Sequence, residues 1–351
     1  MEFPMIHAVA PTRICDIGGW TDTHFAGHGA VFSIAVYPYV EVQVECLPSR
    51  KTEQRVRICA ENYGDSYAVD PEHISYDKYP LIEAAVKVMN IPKDLALNIN
   101  LFSYAPPGAG TGTSAAVSVA LIGALDALTP GRLAQGEVAA LAHEIETKEL
   151  GLECGIQDQL ASAYGGINFI RMHAFPHAAV SAVQIPNNLW WELEQRMVLV
   201  YIGTPHQSSD IHRMVIASLG GSPGTDLRLE RMRALASRAK DALVEGDFKA
   251  LGKTMDENTA VQRELHPRLV CDRFEKIISI ARDFGALGCK VNGAGGDGGS
   301  IAVLTDGDMA NKRALQHALV QREFKILPIY LSRQGLRVWR TVSPRPVGSN
   351  P

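Results

Sequence analysis

The sequence lacks the marks of a metal staple, a nucleic-acid binder and a membrane protein. Its six cysteines, Cys15, Cys46, Cys59, Cys154, Cys271 and Cys289, include no CxxC pair and no metal-ligand spacing. That argues against a zinc site and fits a reducing compartment. Lys and Arg number 34 against 38 Asp and Glu, for a formal net charge of −4, and never gather into a long basic run. The electrostatic footprint of a nucleic-acid binder is therefore missing. No stretch approaches the roughly 20 apolar residues that a membrane span needs. The opening MEFPMIHAVAPTR lacks the basic segment and long apolar core of a secretory signal. These absences predict a cytoplasmic protein that works on small polar molecules, with neither nucleic acid nor membrane as partner.

What is present is an ordinary globular composition of 351 residues, 46% hydrophobic and 21% charged, enough for two domains with real cores. The first stretch is rich in strand signals: HAVAPTRIC, GAVFSIAVYPYVEVQVEC and RVRICA, separated by turn formers. LIEAAVKVMN, the segment after Pro107, and EVAALAHEIETKEL then read as helices, the last with Val138, Leu141, Ala142 and Ile145 on one face. The second half repeats the mixture: a strand at RMVLVYIG, a helix at DRFEKIISIARDFG, a strand pair around GCKVNGAGGDGGSIAVL, and closing strands in EFKILPIYL and LRVWRTV. The pattern predicts an α+β fold of two lobes, 1–190 and 191–351, joined near PNNLWWELEQ, with SPRPVGSNP as a loose tail. Trp190 and Trp191 fit either core packing or a homodimer surface.

Two glycine clusters punctuate this pattern. APPGAGTGTSAA, 105–116, stands between the strand ALNINLFSY and an alanine-rich helix. Gly108, Gly110 and Gly112 would let successive amides point inward, and a loop of that kind opening a helix makes an anion site suited to phosphate. The hydroxyls of Thr113 and Ser114 then stand where a phosphate-bound Mg²⁺ would be caught. A plain turn capped by Ser114 is the competing reading. No Gly-Lys-Ser/Thr follows, so this is not the usual P-loop. LGKT at 251–254 has its upstream glycine, Gly246, one position out of register in a helical context. The second cluster, NGAGGDGGS, contains a GxGxxG, but SIAVL after it reads as a strand, which excludes the dinucleotide-binding fingerprint.

Three stretches in this order, APTRICDIGGWTDT (10–23), PPGAGTGTSAA and KVNGAGGDGG, resemble the GHMP kinases, the family of galactokinase, homoserine kinase, mevalonate kinase and phosphomevalonate kinase. The resemblance implies a ribosomal-protein-like N-terminal lobe, a ferredoxin-like C-terminal lobe, and ATP and substrate in the cleft between them. ATP phosphates would meet Pro107, Gly108, Ala109, Gly110, Thr111, Gly112, Thr113 and Ser114. CGIQDQLASAYGG resembles the segment that carries the family's catalytic aspartate. Asp158 would then accept the proton of the attacking hydroxyl while Arg13 offsets the developing charge. Ser114 and Glu146 match the metal-holding serine and glutamate, enough for Mg²⁺, which keeps several waters. Glu144 and Glu149 compete with Glu146, a solvated helix face being their expected place. Gly19, Trp20, Thr21 and Asp22, with Gly295 and Gly296 of the third motif, would form the substrate side.

The layout is similar to the sugar-kinase branch, implying phosphorylation of the anomeric C1 hydroxyl. The favoured acceptor is D-glycero-D-manno-heptose 7-phosphate, giving the 1,7-bisphosphate; fucose, galactose, arabinose or glucuronate are the alternatives, and a non-catalytic sugar and ATP sensor is a third reading. A sugar phosphate would need a cationic pocket, for which Arg213, Lys290, Arg263, His206 and His212 are the candidates. Asp297 departs from an otherwise all-glycine run and points either at a sugar hydroxyl or outward.

Overall fold

The computed structural model describes residues 4–52, 54–129, 132–203, 208–219 and 223–342. His206 and the closing 343–351 lie outside them. The first sheet is organised by one long strand, Gly29–Pro48, whose two halves serve different neighbours. Residues 29–34 pair with Ile167–Ala174, and residues 40–48 pair with Leu95–Ser103. On its other side runs Pro4–Ile17, antiparallel, with register shifts after Pro11 and Ile14. Those shifts bend the strand where Arg13 and Asp16 sit and re-aim their side chains, as bulges do. Val56–Ala60 and Asp65–Val69 complete the edge beyond Leu95–Ser103.

Under this sheet pack the helices Pro80–Val88, Thr113–Asp126, Gln135–Glu144 and Gln157–Tyr164. Thr113–Asp126 is apolar all round, with ten of its fourteen residues buried, as expected for a helix enclosed on every side. Gln135–Glu144 runs into a π turn, Ile145–Glu149, a widening often found at functional sites.

The second sheet has the order Lys325–Leu327, Met197–Tyr201, Ser300–Leu304, Gly288–Val291, all antiparallel. Asp272–Asp283 and Met309–Val320 pack on one face around Phe274 and Leu319. On the other face Leu227–Glu245 and Phe248–Leu265 fill the space between the sheets: Leu235 and Met255 share one core with Ile14, Phe32 and Leu304. The α+β two-lobed architecture expected above is what the chain adopts. The 190/191 division falls inside the helix Asn187–Arg196, and Arg337–Val342 returns to the first sheet beside Pro4–Ile17. LGKT lies within Phe248–Leu265. Trp190 is buried, with the Arg333 guanidinium 4.2 Å above its ring, while Trp191 is exposed.

Candidate active site

A cavity of about 780 Å³ opens where the two lobes meet. One wall is the glycine loop. Gly108, Gly110 and Gly112 have φ of 67, 69 and 70°, the left-handed region that favours glycine. At Gly112 the reason is also space: an added Cβ would lie 3.2 Å from Cγ and Oδ2 of Asp158. Gly112 is the N-cap of Thr113–Asp126 and supplies no side-chain hydrogen bond. The first-turn amides therefore keep their anion-binding capacity, and Ser114, rather than capping the helix, is exposed to the cavity.

Opposite Gly112, Asp158 occupies the first turn of Gln157–Tyr164. Arg13 grips it with two parallel hydrogen bonds, Nε to Oδ1 at 2.8 Å and Nη2 to Oδ2 at 3.0 Å. Its third nitrogen, Nη1, donates to the Gly110 carbonyl. The Arg13 amide also donates to the Thr111 carbonyl at 2.9 Å. Burial works against the guanidinium charge, but Asp158, Asp16 and Asp22 outweigh it and raise the pKa. The fork geometry fixes the carboxylate plane, and Asp158 remains 26% exposed, open towards the cavity.

Asp22 is almost wholly buried and accepts from the Gln157 amide at 3.0 Å. Burial pushes its carboxyl up to about 6, with Asp158 and Asp16 adding to the rise and the backbone hydrogen bonds opposing it. Gly155 makes room for it, since a Cβ there would sit 2.0 Å from Asp22 Oδ2. Glu146, on the π turn, is buried, and burial raises its carboxyl to about 7; the Gln159 amide, 2.8 Å away, works the other way, and Asp158 adds to the rise. A buried carboxylate met by an amide rather than a cation, facing the same cavity as an uncapped serine hydroxyl, is a hard-oxygen donor set that fits Mg²⁺.

The remaining expected site residues divide. Gly108, Ala109, Thr113, Trp20 and Asp22 line the cavity. Thr111 is buried behind the loop, and the Pro107 carbonyl accepts from the Tyr201 hydroxyl at 3.1 Å. Thr21 turns its hydroxyl to the Gly18 carbonyl at 2.7 Å, shaping the turn. Gly19 packs on Asp16 and Gln157. Gly295 and Gly296 face Leu269: a Cβ on Gly295 would stand 2.2 Å from its carbonyl, which accepts from Gly296 N at 3.1 Å. It is Gly293 and Ala294 of that motif that line the cavity. Asp297 points outward to Arg268 at 2.8 Å. Glu144 bonds Lys148 on the outside, whereas Glu149 lines the cavity, held by Tyr76 and Lys87.

Sequence reasoning missed the contacts that join the lobes here. Asp16 accepts from Gly293 N at 3.1 Å and pairs with the fully buried Lys290 at 3.2 Å. Asn292 accepts from Cys15 N at 3.0 Å and Asn258 from Gly18 N at 2.9 Å. Trp20, at a left-handed φ of 78°, sits 4.7 Å from the His212 ring. The only signal for Asp16 was a second charge, three residues after Arg13, in a largely apolar strand.

Comparison with known proteins identifies the family. The GHMP kinases N terminal domain matches residues 80–166 and the GHMP kinases C terminal domain matches 239–321. D-glycero-alpha-D-manno-heptose 7-phosphate kinase of Campylobacter jejuni is 30% identical over 251 residues, 71% of this chain and 72% of that protein. Mevalonate kinase of Pyrococcus abyssi is 29% identical over 282 residues, 79% and 78% of the two chains. A crystal structure of a D-glycero-D-manno-heptose 1-phosphate kinase from Bacteriodes thetaiotaomicron superposes with a TM-score of 0.76 at 23% identity, covering 96% of this chain and 100% of that one. The chain belongs to the GHMP kinase family and is an ATP-dependent kinase.

Proposed function

We propose that this kinase transfers the γ-phosphoryl group of ATP to the anomeric C1 hydroxyl of a sugar, with Mg²⁺ as the metal. The observation that carries this is the placement of Asp158, gripped by Arg13, against Gly112 of the phosphate loop and beside buried Asp22. Asp22 would accept sugar hydroxyls and orient the acceptor. Asp158 would take the hydroxyl proton as the oxygen attacks the γ-phosphorus and the bond to the bridging β–γ oxygen breaks, releasing ADP. Arg13 holds the carboxylate plane and offers positive charge to the transferring group. Ser114 and Glu146 would hold the ion, which would supply positive charge to offset that of the phosphates. The Campylobacter relative, named for a heptose 7-phosphate, supports D-glycero-D-manno-heptose 7-phosphate as the acceptor, with unphosphorylated fucose, galactose, arabinose or glucuronate as the alternative.

The test is mass spectrometry of purified protein with Mg·ATP and a panel of heptose, heptose 7-phosphate, fucose, galactose, arabinose, glucuronate, mevalonate and homoserine. A sugar 1-phosphate formed with one ADP per product is expected. Product from mevalonate or homoserine alone would overturn the sugar assignment, and no product from any member would favour a sensor.

A further inference from the structure

We infer that Asp16 and Lys290 are positioning residues for phosphoryl transfer: Asp16 fastens the backbone of Gly293 against the phosphate loop at Gly110, and Lys290 balances the charge this requires. The inference rests on the placement of ATP and Asp158 proposed above. Its first ground is a distortion of the strand Pro4–Ile17. Ile14 pairs with Ile34 and Ile17 with Phe32, so Cys15 and Asp16 together stand opposite the single residue Ser33. Cys15 takes a left-handed φ of 53°, uncommon for a residue with a side chain. Regular alternation would send Asp16 the way of Ile14, into the apolar core. The bulge instead brings Asp16 to the cavity wall and leaves the Cys15 amide outside the ladder. Strain of this kind persists only where the surroundings fix it, and it collects at functional sites.

The bulge delivers contact with one segment of the second lobe. The Cys15 amide donates to Asn292 Oδ1 at 3.0 Å, and Gly293 N donates to both oxygens of Asp16, at 3.2 Å and 3.1 Å. Lys290 Nζ donates to Asp16 Oδ1 at 3.2 Å, and the two side chains are only 1% and 2% exposed. The same segment lies directly on the phosphate loop. A Cβ on Gly293 would stand 2.9 Å from the Gly110 carbonyl oxygen and 3.4 Å from Arg13 Nη2; a Cβ on Gly110 would stand 3.0 Å from the Asn292 carbonyl oxygen. Gly110 is therefore held between Arg13, which donates to its carbonyl, and the backbone of 292–293. Three residues of one strand, Arg13, Cys15 and Asp16, thus fix the Asp158 carboxylate, the loop and the segment that backs the loop.

Joining the lobes does not by itself account for the pair. A buried ion pair contributes little net stability, and apolar side chains of like volume often serve as well. An apolar residue at position 16, however, would leave the Gly293 amide without the acceptor that holds it. A carboxylate supplies that acceptor, and Lys290 offsets its charge, so Arg13 keeps its two hydrogen bonds for Asp158. Burial of both charges is the consequence of placing an acceptor there.

Two double variants test this, both neutral at the pair and differing in the acceptor. Asp16→Asn with Lys290→Met keeps a carbonyl oxygen for the Gly293 amide; Asp16→Leu with Lys290→Met removes it. Neither leaves a buried charge unpaired. Calorimetry of Mg·ATP without acceptor and steady-state rates on the best acceptor of the panel are the readouts. The asparagine variant should stay within about threefold of the parent in both. The leucine variant should bind Mg·ATP roughly tenfold more weakly, the scale of one lost hydrogen bond, and lose kcat at least about tenfold, with the acceptor KM unchanged. Parent-like values in the leucine variant, or equal values in the two, overturn the inference and leave Asp16 and Lys290 a structural pair. If neither double variant folds, Asp16→Glu keeps the pair and lengthens the arm by one methylene: Mg·ATP binding about threefold weaker or more is expected, and parent-like binding and kcat overturn the inference. Because the calorimetry needs no acceptor, its result stands whichever acceptor the panel identifies. Parent-like Mg·ATP binding in Gly108→Val would instead overturn the placement of ATP on the loop, and the inference with it.

Discussion

Asp22→Asn should make the protein more stable and a poorer enzyme, and the gain should depend on pH. Burial raises the Asp22 carboxyl from 3.8 to about 6, so the folded protein binds this proton more readily than the unfolded chain. Stability therefore falls as pH rises from about 4 to about 6 and the penalty is then constant. At 1.36 kcal/mol per pH unit the full penalty is about 3 kcal/mol at pH 8, about half of that remains at pH 5, and none below the unfolded-state value. Asparagine can still accept the Gln157 amide with its carbonyl oxygen, so the variant keeps the hydrogen bond and loses the charge. Urea unfolding at 25 °C should place Asp22→Asn above the parent by about 1–3 kcal/mol at pH 8, with the margin narrowing at pH 5. KM for the sugar should rise at the same time. A variant less stable at pH 8, or a margin indifferent to pH, would refute the claim that Asp22 is a charge held at a cost for the site.

Other substitutions separate the site from its surroundings. Gly112→Ala forces a Cβ to 3.2 Å from Asp158 at a φ of 70°, so it should cost about 1–2 kcal/mol in backbone strain and lower kcat at least tenfold by displacing the carboxylate; steady-state rates and thermal unfolding report both. Asp297→Asn breaks an exposed pair with Arg268, worth less than about 1 kcal/mol, and should leave kcat and both KM values unchanged; a tenfold loss would bring Asp297 back into the site. Glu146→Gln should raise the Mg²⁺ concentration needed for half-maximal rate, measured by metal titration at saturating ATP, without lowering stability, because the group it removes is a buried carboxylate lacking a cationic partner.

Much of the site was legible because its parts are contiguous. The glycine loop, Thr113 and Ser114 stand within a few residues of one another, and a strand, glycines and an alanine-rich helix can be read directly. Asp158 and Glu146 were found by resemblance to the family. What escaped were contacts between distant segments. Asp16 and Lys290 are 274 positions apart, and neither residue alone announces a partner. PNNLWWELEQ is polar enough to read as a connection, yet Trp190 and Leu193 bury one face of a helix there, Asn187–Arg196. Gly295 and Gly296 shared a motif with cavity-lining Gly293, but the turn faces them towards Leu269. A run of glycines marks close approach without saying to what.

The central claim is that Asp158 takes the proton of the attacking hydroxyl, and Asp158→Asn tests it most directly. Asparagine keeps a carbonyl oxygen for Arg13 and leaves the glycine loop untouched. Calorimetric titration with Mg·ATP, paired with the steady-state rate on the best sugar, should show an ATP dissociation constant within about threefold of the parent and a kcat lower by about 10²–10⁴. Full activity in that variant would contradict the assignment of the base.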